Sequence, residues 1–190
     1  MAHIYIALVD TPGIFASLIR KFLRQRYIHV VISCDADLTE AYSVGRRNPA
    51  VPVIAGFEKE DKDKILHIFP TAFYRICELS CTQEQKQKIM ERLRADYHRR
   101  FRIHYAVCSL PFLLLGSPFY QKDHYTCSSY IARILQENGI SVSQKHFSLV
   151  TPKDFLECEK MRRIFEGPLS KIVTVGYSSA WEVVSAYGKG

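Results

Sequence analysis

The chain has 190 residues, 47% apolar and 24% charged, enough for one domain with a core, too few for two, and too apolar for disorder except at the ends. Lys and Arg number 26 against 19 Asp and Glu, and the resulting formal charge of +7 suits anionic partners such as nucleic acid, lipid or acidic substrates. The longest apolar stretch, AVCSLPFLLLG, contains a proline and is too short to span a bilayer, so no membrane span is expected.

In chain order, HIYIALV at 3–9 alternates and predicts a strand, which DTPG breaks. IFASLIRKFLRQR at 14–26 carries Ile14, Leu18, Phe22 and Leu23 on one face and predicts a helix. YIHVVIS and LTEAYSV predict two strands around a turn at CDAD. VPVIAGF and KILHIFP predict two more, split by the charged EKEDKDK, and AFYRICEL predicts another. Residues 86–104 place Ile89, Leu93, Tyr97 and Phe101 every four positions in a run of cations and predict an amphipathic helix, capped by Thr82 with Gln85 three residues on. HYTCSSYIARILQENG predicts a helix with Cys127 in its first turn and a stop at Asn138-Gly139. Thr151-Pro152 opens a short helix, and RRIFEG and LSKIVTV predict closing strands before a frayed tail. The whole reads as one α+β domain over 1–176, a mostly antiparallel sheet packed with helices, with a tail at 177–190.

Six cysteines could form disulfides only in an exported chain. The opening MAHIYIALVDTPG lacks the basic and apolar regions of a signal peptide, so reduced thiols and a cytoplasmic location are expected. Cys77 and Cys81 stand four apart without paired CxxC spacing, and no metal site is expected. The cationic helix brings no named nucleic-acid module and no interleaved aromatic stripe, so no nucleic-acid partner is expected.

A cysteine in the first helical turn meets free backbone N–H groups and the positive end of the helix dipole, which stabilise a thiolate. A nucleophile also needs a base, and His29 inside YIHVVIS is the candidate. On a strand, His29, Val31 and Ser33 face one way. A tight hairpin around Asp35 and Ala36 brings Glu40 diagonally onto that face. One residue of difference in the loop turns Thr39 and Ser43 to His29 instead, so the third member of the relay stays open.

YIHVVISCDADLTEAYSVGRR, followed far downstream by YTCSSYIARIL, resembles the circularly permuted papain-like cysteine hydrolases, relatives of the NlpC-type cell-wall peptidases. It is close to their YiiX/YebB-like branch, with lecithin:retinol acyltransferase more distant. In this group the histidine strand precedes the cysteine helix, as here. The resemblance covers about residues 3–176; it lacks the Gly-Asp that often precedes the first core strand, and the Asn-Cys-Glu-His motif of the acyltransferases. It implies a permuted papain-like (NlpC-like) fold with Cys127 as nucleophile, His29 as base and Glu40 as the orienting acid. By analogy it puts Tyr125 and Ser128 at an oxyanion or substrate site and Asp10 and Thr11 in a substrate loop. It implies no cofactor, and a small peptide or amide as substrate, a cell-wall-derived peptide among them. The alternatives are a catalytically silent peptide- or amino-acid-binding protein on the same fold, and acyl transfer or thioester hydrolysis at the same Cys127.

Overall fold

Eight strands form one open sheet in the computed structural model, which describes residues 1–12, 17, 20–21, 25–48 and 51–175. They are β1 (Ala2–Asp10), β2 (His29–Ser33), β3 (Ala41–Asn48), β4 (Val51–Lys59), β5 (Phe73–Cys81), β6 (His104–Tyr105), β7 (His124–Tyr125) and β8 (Met161–Pro168). Their order across the sheet is β7-β6-β4-β3-β2-β1-β5-β8, and only the β6–β7 pair is parallel. Six helices accompany it among the described residues: α1 (Lys62–Ile68), α2 (Gln83–His98), α3 (Leu110–Leu114), α4 (Cys127–Glu137), α5 (Pro152–Leu156) and α6 (Leu169–Val175). None is long and apolar enough to cross a membrane.

The alternation read in HIYIALV explains why β1 is an interior strand, covered on both faces. Ile4, Ile6 and Leu8 point to one face and Ala7 and Val9 to the other, and all five are buried. The first face packs against Ile89 and Leu93 of α2, Ile131 and Leu135 of α4 and Phe155 of α5. The second is covered by Ile65 of α1 and by Leu169 and Ile172 of α6. A two-sided sheet needs both layers, since each face carries apolar side chains whose exposure costs on the order of 25 cal/mol per Å².

Two segments read as strands are helices. KILHI of KILHIFP lies in α1, with Phe69 as its C-cap, because Asp61 caps the helix by accepting from the Lys64 N–H at 3.0 Å and because Ile65, Leu66 and Phe69 recur at helical spacing against the sheet. LSKIVTV forms α6, with Leu169, Ile172 and Val173 at helical spacing. The basic helix has the predicted capping box at Thr82 and Gln85 but ends at His98. Phe101 falls on the 3-10 turn that follows, 64% exposed, and is not part of the buried stripe. The predicted helix at 14–26 lies largely outside the described residues, and the tail at 177–190 lies wholly outside them.

Candidate active site

Thr126 sets where α4 begins. Its hydroxyl accepts from the Ser129 N–H at 3.1 Å, and Ser129 Oγ accepts from the Thr126 N–H at 2.9 Å, a closed capping box. Cys127 is therefore the first helical residue, and its own N–H has no partner within the helix. Ile131, Ile134 and Leu135 anchor the helix in the core, which carries Cys127 down onto β2 and β3. The β2–β3 ladder pairs Ile32 with Tyr42 and Ser33 with Ala41 and goes no further. Beyond it, the N–H of Val30 is directed at the Cys127 sulfur, together with the N–H of Ser128.

His29 is the first residue of β2, paired with Val9 of β1. Its Nε2 lies 3.1 Å from Glu60 Oε1 and 3.1 Å from Ser43 Oγ. The Ser43 hydroxyl also donates to Glu60 in a short contact. With Nε2 so committed, Nδ1 is the ring nitrogen left for the Cys127 sulfur, and the two groups act on each other's charge. Gly45 makes room for the imidazole: a Cβ there would sit 2.9 Å from His29 Cε1 and 3.4 Å from Nε2. Both partners of Nε2 come from the neighbouring hairpin, Ser43 from β3 and Glu60 from just past β4, where its N–H donates to Ala41 O at 2.9 Å.

The charges reinforce one another. Burial pushes the Cys127 thiol up, but the His29 imidazolium and the two backbone N–H groups outweigh it and hold the thiol below its ordinary value. Burial likewise opposes protonation of His29, and the Cys127 thiolate and the Glu60 carboxylate overcome it, holding the imidazole above its ordinary value. Burial also pushes Glu60 up, and His29 and Ser43 hold it down. The arrangement thus favours a thiolate–imidazolium pair backed by a carboxylate, the charge state of a thiol nucleophile with its proton already on the base.

Glu40, read as the orienting acid, stands elsewhere. Its carboxylate takes a two-pronged contact from Arg94, at 2.7 and 2.8 Å, and a hydrogen bond from the Tyr42 hydroxyl at 3.0 Å. The reason is the hairpin. Asp35 gathers the N–H and hydroxyl of Thr39 and the N–H of Glu40 onto its carboxylate, and Leu38 takes φ 57°, so the connection is wider than a tight turn. Extending the observed register sets His29 against Gly45 rather than Tyr42, an odd shift that brings Ser43 to the His29 face and turns Glu40 away. Thr39 is held by Asp35 and does not reach the ring. Glu60 was hidden inside the charged run EKEDKDK, and only the β3–β4 register, with Ser43 opposite Glu58, signals it.

The other predicted residues divide. Tyr125 does not face the thiol: its hydroxyl lies 3.0 Å from Tyr120 Oη and accepts from Arg133 at 2.7 Å. Ser128 is buried, its hydroxyl donating to Val150 O at 2.7 Å, so only its N–H serves the site. Asp10 and Thr11 follow Val9 and so flank His29 at the same end of the sheet. Asp10 is ion-paired to Arg20 and Arg26, and the Thr11 carbonyl accepts from Arg20. A cavity of about 340 Å³ lies beside the first turn of α4, lined by Tyr105, Phe119, Tyr120, His124, Ser129 and Phe147. It reaches Ser129 but not Cys127.

No protein-family model, curated protein or solved structure matches the chain.

Proposed function

We propose that the protein is a cysteine hydrolase of the permuted papain-like kind, acting on an amide bond in a small peptide. The observation that carries the reading is His29 standing between the Cys127 thiol and the Glu60–Ser43 pair, with the thiol at the start of a helix. In the proposed reaction the thiol proton rests on His29 Nδ1 and the Cys127 thiolate attacks the substrate carbonyl carbon. The carbonyl oxygen takes up the electron pair beside the Cys127 N–H, which the helix leaves without an internal partner. As the tetrahedral adduct collapses, the C–N bond breaks and His29 gives its proton to the departing amine. Water then attacks the thioester, losing its proton to His29, and the acid leaves as the thiol is restored. Glu60 keeps the ring oriented and the imidazolium stabilised throughout, in place of the Glu40 first expected.

The test is the pH dependence of Cys127 alkylation by iodoacetamide, resolved by mass spectrometry, beside the ultraviolet absorbance of the thiolate. The reading expects fast labelling at neutral and mildly acid pH, slowed in His29→Ala. Labelling of Cys127 no faster than of Cys34 or Cys158, with no thiolate absorbance below the ordinary thiol range, overturns it. A binding protein on the same fold is then the better reading.

A further inference from the structure

Five of the six exposed large apolar side chains among the described residues fall in one stretch: Phe101, Phe112, Leu114, Leu115 and Tyr120. Leu114 and Leu115 are 56% and 79% exposed at the end of α3, where the chain reverses at Gly116 with φ 64°. The turn is built rather than frayed. The Ser117 N–H donates to Phe112 O at 3.0 Å, and the rings of Phe112 and Phe119 stack at 4.4 Å. It therefore holds two adjacent leucines outward, which scattered surface leucines do not do.

The same stretch is cationic. Between Asp96 and Asp123 the chain carries Arg99, Arg100, Arg102 and Lys122 and no acid. Arg99 is spent on the buried Asp96, and Arg100 lies 3.6 Å from Glu58. Arg102 and Lys122 are exposed. Because β6 and β7 are parallel with His104 opposite His124, these two cations each stand two residues before a paired position, at the same end of the strands. The apolar turn leaves from the far end of β6 and returns through Lys122 to the near end of β7, so its returning leg ends at this charge.

We propose that residues 101–122 form a docking surface for an anionic lipid bilayer, with Leu114 and Leu115 entering the interface and Arg102 and Lys122 on the headgroups. A projecting apolar tip with flanking cations matches the chemistry of such a surface. A second copy of the chain would bring like charge against like. The surface is independent of the Cys127 reading, although Phe119 and Tyr120 also line the cavity beside α4.

The experiment is vesicle co-sedimentation of the full chain with phosphatidylcholine alone and with phosphatidylcholine mixed with phosphatidylglycerol. The wild type sediments with the mixed vesicles and not with the neutral ones, and salt weakens the binding. Leu114→Asp with Leu115→Asp lowers the partition by roughly a hundredfold, on the order of tenfold per leucine. Arg102→Gln with Lys122→Gln lowers it roughly thirtyfold, about fivefold per cation. Circular dichroism checks that the variants, altered only at exposed positions, stay folded. Cys127→Ser binds vesicles like the wild type, so loss of lipid binding and loss of thiol chemistry read out separately. The proposal is overturned if the wild type ignores mixed vesicles or if folded variants bind undiminished. It is equally overturned if sedimentation shows a dimer that the leucine substitutions disperse, or if the stretch binds RNA in preference to vesicles.

Discussion

Replacing Glu60 by Gln removes one charge from the site and leaves a side chain of the same shape beside His29. The carboxylate lies 3.1 Å from Nε2, with 24% of the His29 side chain and 20% of the Glu60 side chain exposed. At that separation the attraction is about 5 kcal/mol at an effective dielectric constant of about 20 and about 1 kcal/mol in water. Partial exposure places the real value between these, near the roughly 2 kcal/mol of a charge-assisted hydrogen bond. That stabilisation acts on the imidazolium, and through it on the thiolate. Its loss shifts the pair toward neutral thiol and imidazole by roughly thirtyfold, since each tenfold step is about 1.4 kcal/mol. Site-resolved alkylation of Cys127 near neutral pH should therefore slow by about that factor, and the acid limb of its pH profile should move toward the ordinary thiol range. The imidazole Cε1–H resonance of His29, followed by NMR, should titrate at lower pH than in the wild type. A Glu60→Gln profile that overlays the wild type, with His29 titrating unchanged, would refute the assignment of Glu60 as the orienting acid.

Three further outcomes follow from the same geometry. Gly45→Ala drives a methyl to 2.9 Å from His29 Cε1, so the ring must move; Cys127 alkylation should slow by tenfold or more with a stability cost of about 1–3 kcal/mol, read by urea unfolding. Glu40→Gln should leave Cys127 reactivity unchanged and cost about 1 kcal/mol, because the Arg94 pairing is largely solvent-screened. Arg94 first, then Tyr42, holds Glu40 down from 4.5 to about 2, so its contribution is complete above pH 4.5 and lost as pH falls through about 2; unfolding of the wild type and Glu40→Gln should converge in acid. For the pair itself, Cys127 is lowered and His29 raised, so in the proposed hydrolysis turnover of an amide substrate should rise with pH as the thiol ionises, hold across neutrality, and fall as His29 loses its proton.

Local pattern carried the elements that obey a single period. Alternation placed β1, and the Thr82–Gln85 box and the Asn138-Gly139 stop bounded α2 and α4, because each depends on side chains within a few residues. It failed at KILHIFP and LSKIVTV, where short apolar runs fit either period and the choice was made by what they cover. It could not see β6 and β7, two residues each, which exist only because the strands they join are brought together by the fold. The cysteine and histidine were legible for a related reason. Each is marked by its own neighbourhood, a capped helix start for Cys127 and an apolar strand for His29.

The third group was not legible, and the hairpin explains why. Which acid meets His29 depends on a parity, not on a propensity. A tight turn at Asp35 and Ala36 would have brought Glu40 to the ring, and the competing pull is Asp35 itself. Its carboxylate collects three donors from Thr39 and Glu40, more than a two-residue turn would offer it. That capture widens the loop and shifts the register by an odd number. Tyr42, Val44 and Phe57 then face the helix layer, and Ser43 faces His29. Turning Glu40 back to the ring would also turn Tyr42 and Val44 out of the core, at on the order of 1.5–3 kcal/mol for each large side chain exposed. One carboxylate contact to His29, worth roughly 2 kcal/mol, does not offset that. The core decides the face, and the acid at the site is the one that the β3–β4 pairing then delivers, Glu60.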